Sequence, residues 1–172
     1  MKKLQSRPFL LPAAIALGLI ALWLTVGVDA GQSSKPTAIS AKDRAEVEQT
    51  IHNVMGWAVK KDFDLFFSSI GDDSNYVSVT PFQVKFGVKD VVRDTGFWAD
   101  PAFKGISHEL HDLTIHFSPS GDVAWYYCIL DDINEINGKP ANWENARWTG
   151  VVVRRDGHWR VVQQHISFAG RR

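Results

Sequence analysis

The stretch "VVVRRDGHWRVVQQHISF", residues 151–168, constrains the fold more than any other part of the chain. Two runs rich in β-branched and aromatic residues flank Asp156-Gly157, a dipeptide that favours a β-hairpin turn. On one alternating face, the returning run begins with core residues and ends with polar ones. Such a face predicts either an internal hydrogen-bond network or the wall of a wet pocket.

The length of the turn decides which residues of this hairpin share a face, because a one-residue slip exchanges the faces. A two-residue turn would pair Arg155 with His158 and would mix arginines with core residues on both faces. A three-residue loop with a left-handed Gly157 instead pairs Arg154 with His158 and separates the two kinds of residue. We therefore predict the three-residue loop. It places an inward polar cluster at the far end of the hairpin: Asn145, Arg147, Thr149, Gln163, His165 and Ser167.

Helical patterns precede the strands. An amphipathic helix is predicted from an N-cap at Ser40 to about Lys61, followed by a short helix at residues 63–70 and a third at 87–98. The strands are predicted at residues 75–80, 106–117, 123–133, 143–155 and 158–168. Helices followed by a strand meander predict an α+β fold, in which a curved antiparallel sheet wraps around the N-terminal helices.

The N-terminus has the layout of an export signal. Basic residues precede a continuously apolar run, and small residues at 28–30 offer a cleavage site after Ala30. The protein is therefore expected to be periplasmic or secreted, although residues 9–28 are also long enough to anchor an uncleaved chain in a membrane. The predicted segments are a signal or anchor at 1–30, a linker at 31–40, one domain at 41–169 and a tail at 170–172.

Charge and cysteine content exclude several classes of partner. The chain has 19 basic and 19 acidic residues, so its net charge gives no reason to expect a nucleic acid partner. Cys128 is the only cysteine, which excludes an internal disulfide and a multi-cysteine metal site. His108 and His111 are three residues apart on a strand and hence on opposite faces, so no metal site and no cofactor are predicted. Contact with a membrane is expected only through the N-terminal segment.

Four features together resemble the nuclear transport factor 2-like superfamily, in its SnoaL-like branch. They are the amphipathic first helix and the stretches "GVKDVVRD", "GDVAWYYCILDD" and "ENARWTGVVVRRDGHWRVVQQHISF". The resemblance covers about residues 41–169 and implies a cone-shaped sheet, a cavity between sheet and helices, and usually a homodimer through the outer sheet face. It implies no single reaction, because the fold carries isomerases, cyclases, epoxide hydrolases, dehydratases and non-catalytic association domains.

An enzyme of the isomerase, cyclase or dehydratase kind would need a general base and a hydrogen-bond donor in an apolar site. Asp131 and Asp132 are adjacent on a strand, so one of them faces the cavity in either register, and Tyr126 and Tyr127 offer the same choice for a phenol. His165 is a second candidate base. The catalytic residues predicted for this reading are Asp131 or His165 as base and Tyr127 as donor.

The interpretation we favour from the sequence is binding of a small, partly apolar organic ligand in the cone. Arg147 in a mainly aromatic cavity suggests that this ligand carries an anionic group. The predicted ligand-binding residues are Trp57, His111, Trp125, Asn145, Arg147, Thr149, Gln163 and His165. Trp148 is expected on the outer face, at a dimer interface. The remaining alternative is an oligomerisation or partner-binding module whose cavity is filled by its own side chains.

Overall fold

The computed structural model describes residues 38–169, so the predicted signal or anchor, most of the linker and the tail lie outside the described residues. The helices are α1 (Ala41–Lys60), α2 (Phe63–Ser69), α3 (Val88–Val92) and α4 (Thr95–Ala99). The strands are β1 (Val77–Val79), β2 (Val84–Phe86), β3 (Phe103–Phe117), β4 (Val123–Ile136), β5 (Lys139–Pro140), β6 (Trp143–Arg155) and β7 (His158–Ser167). Within residues 38–169, none of the helices combines the length and the apolar character needed to cross a membrane.

Helix α1 forms where the sequence predicts it, because its first turn is capped on both sides. The Ser40 hydroxyl accepts a hydrogen bond from the Asp43 N–H at 3.0 Å, and the Asp43 carboxylate accepts one from the Ser40 N–H at 3.3 Å. The helix ends at Lys61, which adopts a left-handed conformation. One stripe of the helix is buried against the sheet: Val47, Thr50, Ile51, Val54, Trp57 and Ala58.

The sheet curls around α1 as a half-barrel with the strand order β2-β1-β7-β6-β4-β3, and β5 pairs with β4. The α+β class and the curved sheet are therefore confirmed. The sheet is mixed rather than purely antiparallel, because β1 pairs with β7 in the parallel direction. The hydrophobic core fills the space between the inner face of this sheet and the buried sides of α1 and α2.

The region between α2 and β3 differs from the prediction of one helix at 87–98. That segment forms α3 and α4, because the Asp94 N–H bonds to the Val91 carbonyl at 3.0 Å and the Thr95 hydroxyl bonds to the Val92 carbonyl at 2.8 Å. These contacts tighten the turn and end the first helix. Strand β2 was not predicted, since three residues are too few to show a period.

The hairpin of β6 and β7 corrects the predicted register. Arg155 pairs with His158 and Arg154 with Trp159, so the turn has two residues, and Asp156 and Gly157 both have positive φ. The prediction of a three-residue loop is wrong because it assumed that an arginine on a core face has no partner. Arg154 forms an ion pair with Asp43 and lies 4.7 Å from the Trp159 ring.

A β-bulge in β7 fixes the faces beyond the turn. Val152 pairs with Val161, whereas Val151 pairs with Gln163, so Val162 is the extra residue. From this point on, Gln164 and Ile166 face inward and are buried. The polar cluster that the sequence predicted on the inner face therefore lies on the outer face instead.

Gly150 is required by the packing at the centre of β6. A Cβ at this position would lie 2.6 Å from the Gln163 carbonyl oxygen and 2.6 Å from the Tyr126 ring. We expect Gly150→Ala to lower the free energy of unfolding by about 1–3 kcal/mol, because backbone and a buried ring must both shift. Gly96→Ala is the matched control, since a Cβ there meets nothing within 4 Å. Equal urea midpoints for the two variants would contradict this packing.

Candidate ligand-binding cavity

A cavity of about 680 Å³ lies between the inner face of the sheet, the end of α1, the β1–β2 hairpin and α4. This volume falls within the range of small-molecule sites, about 300–1,000 Å³. Nine of the described residues that line the cavity are aromatic: Trp57, Phe66, Tyr76, Phe82, Phe97, Trp98, Phe103, Trp143 and Phe168. Phe82 is 77% exposed and therefore stands at the mouth of the cavity. A cavity between the sheet and the helices is therefore part of this fold.

Trp57 lies on the cavity wall, where the sequence predicted it. It is buried on α1, with its ring centroid 4.9 Å from that of Phe66 and 5.2 Å from that of Trp98. These tilted and edge-to-face arrangements are the favourable geometries for aromatic pairs. The cluster fixes the apolar wall before any ligand enters.

Asp132 is one of two carboxyl groups on the cavity wall, and the other, Asp94, is paired with Lys85. Burial raises the pKa of Asp132 to about 6, and a hydrogen bond from the Asn134 amide nitrogen to Asp132 Oδ2, at 2.7 Å, opposes part of that rise. Asn134 is itself buried, and its backbone N–H bonds to Asn142 Oδ1 at 3.1 Å. A carboxyl group with this pKa exchanges its proton near neutral pH, as a general acid or base must.

Lys85 is the only lysine or arginine among the described residues that line the cavity. The side chain is buried, forms an ion pair with Asp94, and has its Nζ 5.4 Å from the centroid of the Trp98 ring. Burial lowers the pKa of the Lys85 ammonium, and the charge of Asp90 opposes that effect. Lys85 thus supplies a cation at the place where the sequence analysis expected Arg147 to supply one.

Gln164 explains why the inner face of the last hairpin becomes polar. Its Oε1 accepts a hydrogen bond from Trp148 Nε1 at 3.0 Å, and its Nε2 bonds to the Tyr76 hydroxyl at 2.9 Å and to Ser78 Oγ at 3.1 Å. Burial raises the pKa of Tyr76 to about 12, so this phenol stays protonated. The inner face therefore holds a buried hydrogen-bond network, but it is built on Gln164 and contains none of the six polar residues that the sequence analysis placed there.

Most of the predicted site residues lie away from the cavity in the structure. Among the residues that the structure describes, seven of the predicted cavity-facing residues lie on the outer face or at its edge: Trp125, Tyr127, Asp131, Asn145, Arg147, Thr149 and His165. Gln163 joins them on the outer face, because the bulge at Val162 turns Gln164 inward in its place. Trp148 makes the opposite exchange: it is fully buried, and the expectation of an outer-face dimer contact for it is wrong.

A second bulge relocates His111. The sequence placed His111 on the same face as Ile115, but the pairing of β3 with β4 shifts between His111 and Thr114, where Asp112 has a φ of 55°. His111 therefore shares the outer face with Thr114 and lies 3.0 Å from Asp131, measured from Nε2 to Oδ2. The expectation that His111 faces the cavity is wrong, because strict alternation does not survive a bulge.

Asp131 and Asp132 therefore have opposite environments. The backbone N–H of Asn145 donates to Asp131 Oδ1 at 2.6 Å, and together with His111 it holds the pKa of Asp131 below its usual value. The sequence left open which of the two acids faces inward, and also which of Tyr126 and Tyr127 does. Tyr126 is the buried phenol. The buried small and apolar residues at every second position of β4 indicate which residues face inward. Apolar residues on the other face of the strand obscure that alternation in the sequence.

The sequence and the fold are both similar to those of known proteins. The family profile of the SnoaL-like domain matches residues 47–170. A nuclear transport factor 2-like superfamily protein from Salmonella enterica serovar Typhimurium is 18% identical, with a TM-score of 0.65 over 76% of this chain and 93% of that one. A protein from Novosphingobium aromaticivorans, provisionally described as a scytalone dehydratase, is 13% identical, with a TM-score of 0.61 over 73% of this chain and 83% of that one.

A third solved structure comes from Exiguobacterium sibiricum and is provisionally described as a calcium/calmodulin-dependent kinase II association domain. It is 8% identical, with a TM-score of 0.60 over 76% of this chain and 95% of that one. No curated protein matches the sequence significantly. At these identities the solved structures show the fold alone.

A half-barrel sheet curled around an N-terminal helix, with a cavity at the end of that helix, defines the nuclear transport factor 2-like, cystatin-like class of folds. Within this class, the chain belongs to the SnoaL-like domain family, as the sequence resemblance implied.

The opposite environments of the two acids predict opposite effects on stability. The pKa of Asp132 is raised from 3.8 to about 6, so wild-type stability from this group is present below pH 3.8 and is lost as the pH rises through 6. We therefore expect Asp132→Asn to stabilise the protein by roughly 3 kcal/mol at pH 8 and to have little effect at pH 3. Urea unfolding across this pH range measures the effect.

Asp131→Asn is the matched control for this experiment. The pKa of Asp131 is lowered, so its stabilising contribution is present above pH 3.8 and is lost as the pH falls below that value. We expect Asp131→Asn to destabilise the protein at pH 8, opposite in sign to Asp132→Asn. The same sign for both variants at pH 8 would contradict the assignment of the two faces.

Proposed function

We propose that the domain binds a small, mainly apolar organic molecule with one carbonyl or anionic group in the cavity, and that Asp132 transfers a proton to or from it. The observation that carries this proposal is a carboxyl group with a pKa of about 6 on the wall of a mainly apolar cavity. Acid–base residues with strongly shifted pKa values concentrate at functional sites. A purely structural acid at this position would reduce stability without any benefit.

Lys85 would orient the polar end of the ligand. Its ammonium is buried beside an aromatic ring, and a positive charge in such a place stabilises an oxyanion more strongly than one in water. Asp94 partly neutralises this charge, so a neutral carbonyl is a better ground-state ligand than a full anion. As negative charge develops on the carbonyl oxygen, its attraction to Lys85 grows, which favours the transition state over the bound substrate.

The chemistry that these groups support is proton transfer at a carbon next to a carbonyl. Asp132 as carboxylate removes the proton, the C–H electron pair moves into the carbonyl to form an enolate, and Lys85 stabilises the enolate oxygen. Return of that proton from Asp132 to another carbon gives an isomer. If the substrate carries a hydroxyl group on the next carbon, that group takes the proton from Asp132 and leaves as water while the enolate electrons form a C=C bond, which gives a dehydrated product. Asn134 holds Asp132 Oδ2, which leaves Oδ1 for the substrate.

The relatives are compatible with catalysis and with assembly. One solved structure of the same fold is described as a dehydratase and another as an association domain. The open cavity favours a ligand over an interaction module, because a module with no ligand would be expected to fill this space with its own side chains. The shift of the Asp132 pKa favours turnover over simple binding.

Exchange of the α-protons of 2-tetralone for deuterium in D₂O tests the proposal. This bicyclic ketone is apolar, has acidic carbon-bound protons and is small enough for the cavity. We expect the protein to accelerate exchange with a dependence on pH centred near 6, and Asp132→Asn to lower the rate roughly 100-fold or more. Proton NMR of the ketone measures the rate directly.

Asp131→Asn is again the control, because Asp131 lies outside the cavity and its replacement should leave the exchange rate unchanged. Lys85→Met should slow exchange while the variant still binds the ketone, as a fluorescence titration of the cavity tryptophans would show. Equal exchange by the wild-type protein and Asp132→Asn would reject Asp132 as the acid–base group.

We also propose that the protein is exported and forms a homodimer through the outer sheet face. Support for the dimer comes from two aromatic side chains on the outer face of β4. Trp125 and Tyr127 are two residues apart on this strand and are 46% and 41% exposed. Two neighbouring exposed aromatic side chains are typical of an interface. Native mass spectrometry of protein from the exported fraction should give twice the mass of a chain that begins at residue 31. A monomer, or a chain that retains residues 1–30, would contradict one part of this proposal.

A further inference from the structure

A second group of side chains with chemical potential lies on the outer face of the sheet, away from the cavity. His111 Nε2 is 3.0 Å from Asp131 Oδ2 and 3.7 Å from Glu109 Oε2. The three ligand atoms of Glu109, His111 and Asp131 all lie within 4.8 Å of one another. Among the described residues, no other group of three histidine, cysteine or acidic side chains converges in this way.

The strands bring these residues together by pairing. Glu109 and His111 are two apart on β3 and share a face, and Asp131 on β4 is the direct partner of Glu109. The bulge at Asp112 follows His111 immediately, so it leaves this pairing intact. On the other side of β4, the Asn145 N–H holds Asp131 Oδ1 and directs Oδ2 toward His111.

The two distances around His111 are compatible with ligands that share one divalent cation. A cation that binds nitrogen and oxygen at about 2.1 Å places its ligand atoms about 3.0 Å apart in octahedral geometry and about 3.4 Å apart in tetrahedral geometry. The two distances from His111 Nε2 bracket these values. Binding of a cation would displace any proton shared between His111 and Asp131 and would draw the Glu109 carboxylate closer.

We propose that Glu109, His111 and Asp131 form a binding site for one Zn²⁺ ion, or for a transition metal of similar preference, on the outer sheet face. One imidazole and two carboxylates suit a borderline cation better than Ca²⁺ or Mg²⁺, which prefer oxygen ligands alone. All three ligands approach from the protein side, so the remaining positions are open to water. The contact between Asn145 and Asp131 has the role of the outer partners that orient metal ligands in known sites.

This site is independent of the cavity. Asp131 and Asp132 are adjacent but point to opposite faces of β4, and the three proposed ligands are absent from the residues that line the cavity. Loss of the metal should therefore leave the exchange of 2-tetralone unchanged. The two proposals can fail separately.

Isothermal titration of the metal-stripped full-length protein with ZnCl₂ at pH 7.5 tests the site. We expect one Zn²⁺ per chain and at least a tenfold loss of affinity in His111→Ala. His116→Ala is the matched control, because His116 is exposed on the same strand and face and stacks on Trp125, away from the two carboxylates. The control should bind Zn²⁺ as the wild type does.

Glu109→Gln keeps the shape of an exposed side chain and removes only its charge, so it tests the site even if His111→Ala unfolds. It should also weaken binding about tenfold, with an unchanged circular dichroism spectrum. The proposal is overturned if the wild type binds no Zn²⁺ stoichiometrically. It is also overturned if His111→Ala and His116→Ala lose affinity equally, or if Glu109→Gln binds as tightly as the wild type.

Discussion

The alternation of side chains along β4 is the constraint on which the rest of the molecule depends. Tyr126, Cys128 and Leu130 are buried against the core at every second position, and neighbours on a strand must point to opposite faces. Once these residues face the core, Asp132 must face the cavity and Asp131 must face outward. Moving the strand by one residue would bury Asp131 and expose the core, so the register and the site are determined together.

This separation gives two adjacent carboxyl groups different chemistry. On the inner face, Asp132 has lost water on most sides and has one hydrogen-bond donor, which raises its pKa. On the outer face, Asp131 keeps water and gains a backbone N–H and an imidazole, which lower its pKa. The cavity wall therefore carries a carboxyl group whose proton exchanges near neutral pH, while the outer face carries an ionised carboxylate.

Local signals predicted much of the fold, and long-range contacts decided what they missed. The N-cap at Ser40 and the position of the hairpin turn at Asp156-Gly157 are short-range features, and both form where the sequence predicts them, although the turn has two residues and not three. The predicted register of the last hairpin was wrong because Arg154 and Arg155 form ion pairs with residues far away in the sequence, Asp43 and Asp73. No pattern in either strand reveals those partners. The bulges at Asp112 and Val162 also leave no pattern in the sequence, and they shift the faces of His111 and Gln163.

For the site, the sequence identified the aromatic wall at Trp57 and the pair that contains the cavity carboxyl. It missed Lys85, whose strand is too short to show a period, and it assigned the cation to Arg147.

Carbon-13 NMR of labelled aspartate side chains, recorded across a pH titration, distinguishes the two carboxyl groups. We expect Asp132 to titrate near pH 6 and Asp131 to titrate below 3.8 in the same spectra. Two ordinary values near 3.8, or the raised value on Asp131, would contradict both the proposed register and the proposed acid–base role.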